Sequence, residues 1–142
     1  FPDEIVRSRL VVFLPMWAAW GSDVGAFFTG KFLGKNRIFP ELSPKKTMEG
    51  CLGGIIVSVV GYGVMSFFVD IPFVHALVLG GVASALGQVG DLSESALKRE
   101  HDVKDSSTLL GSHGGFLDRI DSFLFTTPVV YHYFAWFNPW NF

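Results

Sequence analysis

Charge is scarce in this chain, and its absences are informative. Of 142 residues, 17% are Asp, Glu, Lys or Arg and 49% are hydrophobic. Mean hydropathy is +0.39. Gly50 to Val69, Ile71 to Gly90 and Ser122 to Phe142 contain no charged residue, and Leu10 to Gly30 contains one, Asp23. Too little polar sequence remains to coat four such segments in water, which excludes an ordinary soluble domain. The single cysteine, Cys51, excludes an internal disulfide and a cysteine-rich zinc centre. At the head of an apolar run it reads as a small buried hydrophobe. With a net charge of -2 there is no global basic field, so nucleic acid is not an expected partner. The first residues, Phe1-Pro2-Asp3-Glu4, lack a methionine and the layout of a signal peptide, and read as the middle of a longer protein.

The four apolar segments each approach the ~20 residues that a helix needs to cross a bilayer core. The expected fold class is therefore all-α, a polytopic integral membrane protein of about four transmembrane helices. Residues 1–142 are expected to form one membrane-embedded domain. Only Asp70-Ile71-Pro72 separates the second and third spans, which predicts a tight hairpin. Lys31, Lys35, Arg37, Lys45 and Lys46 fall between the first two spans; Lys98, Arg99, Lys104 and Arg119 fall between the last two. By the positive-inside rule both loops face the cytoplasm or its organellar equivalent, in a bacterial-type cytoplasmic, organellar or endoplasmic reticulum membrane. Ala83 with Gly87, and Gly80 with Ser84, are pairs of small residues that permit close helix approach.

Chemistry concentrates between Gly90 and Ser122. Asp91 to Arg99 reads as a helical continuation of the third span, with Asp91, Ser95 and Lys98 on one face and Glu94 able to pair with Lys98. Lys104-Asp105 leads on to His113-Gly114-Gly115, whose glycines bare backbone N–H groups suited to phosphate oxygens. The next helix opens on Asp118-Arg119-Ile120-Asp121, with both carboxylates on one face. Carboxylates at both ends and cations between them suit magnesium with a polyphosphate. A self-neutralising solvated loop is the plainer alternative. His101, His113, His75 and His132 show no zinc spacing. Asp23, flanked by Gly21, Ser22 and Gly25, is an intramembrane carboxylate of the kind that marks either function or a hydrogen bond to another helix, where the first span could break. In SPKKTMEG, Ser43-Pro44 resembles a helix start, and Lys45-Lys46 stands at the membrane surface as a lipid anchor or a phosphate ligand. GAFFTGK, Gly25 to Lys31, imitates a phosphate-binding loop but is followed by Phe32 and lies within a span.

These residues resemble a known family. SALKREHDVKDSSTLLGSHGGFLDRID, Ser95 to Asp121, is similar to the signature of phosphatidate cytidylyltransferases, or CDP-diacylglycerol synthases. SD-x-GA at Ser22 to Ala26 and SPKKT-x-EG at Ser43 to Gly50 match further blocks. The chain departs from the pattern at Gly111-Ser112, where the family has Pro-Gly, and at Met48, where it has Trp. Family members are about twice as long, so the chain is expected to be the C-terminal catalytic portion, without the N-terminal spans. The resemblance implies transfer of CMP from CTP to phosphatidate, giving CDP-diacylglycerol and pyrophosphate, with magnesium and room for a second cation. It assigns the metal to Asp91 and Asp118, with Asp121 and Asp23 near it, and phosphates to Lys98, Arg99, Lys104, Lys45 and Lys46. His113, Gly114 and Gly115 would line the nucleotide pocket. Asp105 completes the catalytic set; Ser22, Ser43, Ser95 and Arg119 complete the substrate-binding set.

Other classes remain open. A CTP-dependent polyprenol or phytol kinase would share SPKKT and release CDP instead of pyrophosphate. A transport or assembly subunit would use Asp23 as an ion site but leaves the Lys-Arg, Lys-Asp and His-Gly-Gly spacing unexplained. Membrane lipid is an expected partner, and a homodimer is left open.

Overall fold

The computed structural model describes residues 9–101 and 117–137, without the side chains of 117–120. It is all-helical among those residues, apart from one isolated antiparallel bridge between Arg37 and Thr47. Helix α1 (Phe13–Met16) runs through a π turn (Trp17–Gly21) into α2 (Ser22–Leu33), with right-handed helical backbone at both junctions. The first span therefore does not break at Gly21-Ser22; it widens by a π turn that ends on Gly21, a device that often accompanies functional sites. Three longer helices follow, α3 (Met48–Val69), α4 (Phe73–Glu100) and α5 (Leu117–Phe137).

Two of the four expected spans, α3 and α4, are helices long and apolar enough to cross a membrane. The other two expected spans fall on the α1–α2 rod and on α5. The hairpin between α3 and α4 forms at the predicted place. Asp70 adopts the left-handed conformation (φ 52°, ψ 39°), which aspartate tolerates better than most residues, and the next residue, Ile71, is buried in the apolar core. Ser43-Pro44 does not start α3. Thr47 caps that helix, its Oγ1 accepting from Gly50 N–H at 3.1 Å, while Ser43 and Pro44 belong to the preceding loop. The cap is decided by which hydroxyl reaches a free first-turn amide, and Thr47 stands one residue before the first turn.

Neighbouring rods pack in sequence, α2 on α3, α3 on α4 and α4 on α5, and α1 meets α5 to close the bundle at one end. Small and hydroxyl-bearing residues make the seams. A side chain on Gly80 would begin 2.9 Å from Tyr62, and one on Gly87 would begin 3.0 Å from Thr126. Tyr62 donates to Leu14 carbonyl at 2.8 Å and Ser58 to Gly80 carbonyl at 3.1 Å, both buried. Meanwhile Ile56, Val60, Val64, Phe67, Val74 and Val78 face outward. Polar and small residues inside with branched apolar residues outside is the arrangement of helices in lipid, where backbone approach and internal hydrogen bonds drive association. His75 and His132 are structural: His75 Nδ1 lies 2.8 Å from Tyr133 Oη, and His132 Nδ1 is 2.7 Å from Pro128 carbonyl.

Candidate active site

At about 1.5 Å per residue, the 28 residues of α4 reach roughly 42 Å, against a hydrocarbon core of about 30 Å. Its last turns carry Asp91, Glu94, Ser95, Lys98 and Arg99 clear of the apolar stretch, as the sequence predicts. Glu94 and Lys98 pair along the helix at 3.5 Å.

Loop 34–47 folds back over this end of α4. Its neck is closed by Met48 N–H donating to Asn36 carbonyl (2.9 Å) and Ile38 N–H to Lys46 carbonyl (3.3 Å). The fold-back brings Lys46 Nζ into an ion pair with Asp91. Asp121, at the start of α5, accepts from Ser122 N–H at 2.6 Å and lies close enough to Asp91 and Glu94 for their side chains to act on its carboxyl. Asp23, on the first turn of α2, feels the charges of Asp91, Asp121 and Lys46. Four elements thus contribute to one charged cluster.

Burial and the nearby Asp91 hold the Asp121 carboxyl above the usual carboxylate range, because a second negative charge close by disfavours ionisation; a positive ion between them would relieve that repulsion. That arrangement fits a divalent cation. Among the described residues no three His, Cys, Asp or Glu side chains converge on one metal position. Magnesium commonly takes only one or two carboxylates and fills its shell with phosphate oxygens and water.

Two cavities adjoin the cluster and share Lys45 as a wall. One, of about 380 Å³, is lined by Leu42, Ser43, Pro44, Lys45, Ser95, Lys98 and Arg99. Five of those are substrate-binding or catalytic candidates from the sequence, drawn from two segments about fifty residues apart. The other, of about 190 Å³, is lined by Asp23, Lys45, Lys46, Thr47, Cys51 and Gln88, among others. Ser22 does not line either cavity; its Oγ is 2.7 Å from Ser84 Oγ, a buried link between α2 and α4. Asp118 and Arg119 lie on the first turn of α5, with side chains outside the described residues. Lys104, Asp105, His113, Gly114 and Gly115 also lie outside them.

Sequence reasoning missed Gln88 and Glu49. Gln88 Nε2 donates to Cys51 carbonyl (3.1 Å) and to Ser22 Oγ (3.3 Å), tying α2, α3 and α4 together beneath the smaller cavity. A carboxamide within a charge-free span was the available signal, since polar side chains inside membranes seek partners on other helices. Glu49 accepts from Lys35 N–H (3.1 Å) and from Asn36 N–H (3.2 Å) and Nδ2 (2.9 Å).

Comparison with known proteins adds to this geometry. The model of the Cytidylyltransferase family matches residues 1–137. The chain is 46% identical over 129 residues to the phosphatidate cytidylyltransferase of Bacillus subtilis, covering 89% of this chain and 48% of that protein. It is 44% identical over 130 residues to the enzyme of that name from Staphylococcus saprophyticus, covering 90% of this chain and 49% of that one. A Synechocystis protein of the same name is 38% identical over 144 residues, covering 97% and 47%. The chain spans about half the length of these curated relatives.

Proposed function

This chain belongs to the cytidylyltransferase family, and on that premise we propose that it transfers CMP from CTP to phosphatidate, yielding CDP-diacylglycerol and pyrophosphate. The observation that carries the reading is the cavity where Ser43, Lys45, Ser95, Lys98 and Arg99 meet beside the Asp91–Asp121 pair. Cations there suit a triphosphate, and carboxylates beside them suit the metal that accompanies it.

In this mechanism Lys98 and Arg99 hold the phosphates of CTP. The lipid phosphate oxygen attacks the α-phosphorus, a new P–O bond forms, and the bond to the β-phosphate oxygen breaks to release pyrophosphate. No strong base is needed, because a phosphate monoester with a second pKa near ~6 is already ionised at neutral pH. The protein's contribution is positioning two anions and neutralising charge on the leaving group. Asp91 and Asp118 would hold magnesium, which when bound supplies positive charge to the phosphate oxygens. Lys104, Asp105, His113-Gly114-Gly115 and Arg119 complete the nucleotide side on the family pattern. The test is pyrophosphate release by the intact protein in detergent, dependent on CTP, magnesium and phosphatidate. Release of CDP with an alcohol substrate would instead identify a lipid kinase.

Lys46 beside Asp91 and Lys45 between the cavities stand where a lipid phosphate would meet the nucleotide. Lys45→Ala/Lys46→Ala is expected to raise KM for phosphatidate more than for CTP, by tenfold or more on the scale of about 1.4 kcal/mol per decade. An equal rise for both substrates, or a rise for CTP alone, would remove the lipid assignment.

Four spans with both charged loops on the cytoplasmic side complete the reading, so that nucleotide and lipid headgroup enter from one face. Cysteine probes at Asn36 and Ser106 should then react from one side of the membrane, and a probe at Asp70 from the other. Reaction of all three from one side would refute this topology.

A further inference from the structure

We propose that Glu49 is a positioning residue that sets Lys45 and Lys46 against the two cavities by locking the neck of loop 34–47. The inference rests on the reaction proposed above. Glu49 lies on the first turn of α3, where an acidic residue is already favoured by the helix dipole. That alone would leave its carboxylate to solvent. Instead it reaches back 13 and 14 residues and accepts from two successive backbone amides, Lys35 and Asn36, and from the Asn36 carboxamide. Those amides follow directly on the end of α2 at Leu33 and Gly34, so one side chain staples the end of α2 to the start of α3.

The staple's neighbours are the residues that matter. Asn36 carbonyl accepts from Met48 N–H, Arg37 bridges Thr47, and Lys46 carbonyl accepts from Ile38 N–H. Each rung lies one step further from Glu49 along the same ladder, and the third contains Lys46, whose Nζ reaches Asp91. Lys45, the next residue out, walls both cavities. Opening the neck at Glu49 therefore frees both lysines without touching a substrate group.

The required chemistry is an acceptor geometry and not a charge. In Glu49→Gln, the remaining oxygen can take the two backbone amides, and Asn36 can turn its carboxamide to accept from the new NH2 group. Glu49→Ala has no acceptor. Glu49→Ala is expected to lower kcat/KM by about tenfold to a hundredfold, the scale of a misplacement near 1 Å. The loss should appear mainly as higher KM, larger for phosphatidate than for CTP, since the lysines grip a phosphate already present in the ground state. Glu49→Gln should stay within about threefold of wild type, the scale of one modest hydrogen bond. Asn36→Ala, which removes only the side-chain donor, should move KM in the same direction by less.

Limited trypsin digestion of the intact protein gives a readout independent of turnover. Cleavage after Lys45 and Lys46 should accelerate in Glu49→Ala and not in Glu49→Gln. Faster cleavage with unchanged kinetics would overturn the positioning role, as would a Glu49→Gln defect equal to that of Glu49→Ala. If wild-type protein shows no cytidylyl transfer, the reaction reading fails, and unchanged cleavage in Glu49→Ala would overturn the staple as well.

Discussion

Asp91→Asn is expected to abolish cytidylyl transfer, with a loss on the order of a thousandfold or more in kcat. Asparagine keeps the shape of the side chain and deletes its charge. The deletion strands Lys46, removes one half of the Asp91–Asp121 pair, and leaves the proposed metal position without one of its hard anionic ligands. Asp91 sits beyond the apolar stretch of α4 with its side chain 35% exposed, so the bundle should assemble normally and the purified variant should elute and melt like wild type. Asp118→Asn should fail to the same degree, because the family pattern gives it the same duty from the opposite end of the loop. Substantial turnover of either variant at saturating magnesium would contradict the metal assignment.

Gly54→Val should damage both stability and activity, for a reason that lies in backbone contact. A side chain at Gly54 would begin 2.7 Å from the carbonyl oxygen of Ser22 and 2.9 Å from its hydroxyl. Neither the carbonyl nor the helix that carries it can yield cheaply, so α2 must move away from α3. Overpacking of this kind costs roughly 1–3 kcal/mol. The same displacement carries Asp23, one residue on from Ser22, and pulls Ser22 from Gln88 and Ser84. A shift near 1 Å in a catalytic group is worth about a hundredfold in rate. Melting in detergent and turnover should therefore both fall, whereas Gly81→Val, whose side chain would begin in ordinary contact at 3.5 Å, should leave both near wild type. Wild-type behaviour of Gly54→Val would show that the α2–α3 contact does not set the site.

What could be read from the sequence was whatever depends on residue type and period. The absence of charge marked the segments that became α3 and α4, and Asp70-Ile71-Pro72 marked their hairpin. The cations and carboxylates at the end of α4 announced themselves because they interrupt an apolar run. The pairing across elements was not legible. Lys46 meets Asp91, Asp91 lies near Asp121, and Ser95 shares a cavity wall with Ser43, residues 30 to 52 positions apart, and composition carries no distance information. Glu49 and Gln88 escaped for a different reason. Each is an ordinary polar residue whose importance lies in which backbone groups it meets, and that depends on how loop 34–47 folds back. The false start at Ser43-Pro44 has the same origin: two hydroxyl residues compete to cap α3, and only the folded loop shows which one reaches Gly50.

Because α4 is a single uninterrupted helix, it also acts as a ruler. Counting from the turn at Pro72, Asp91 stands about 28 Å along the axis, close to the thickness of the lipid interior. The helix cannot stretch, so the distance between the far-side turn and the charged cluster is invariant while the surrounding bilayer is not. In a thicker membrane the cluster would be drawn toward acyl chains, and only tilting or local thinning could restore its depth. On the proposed function, the reacting groups would thus be held at a depth gauged against the membrane whose lipids the reaction supplies.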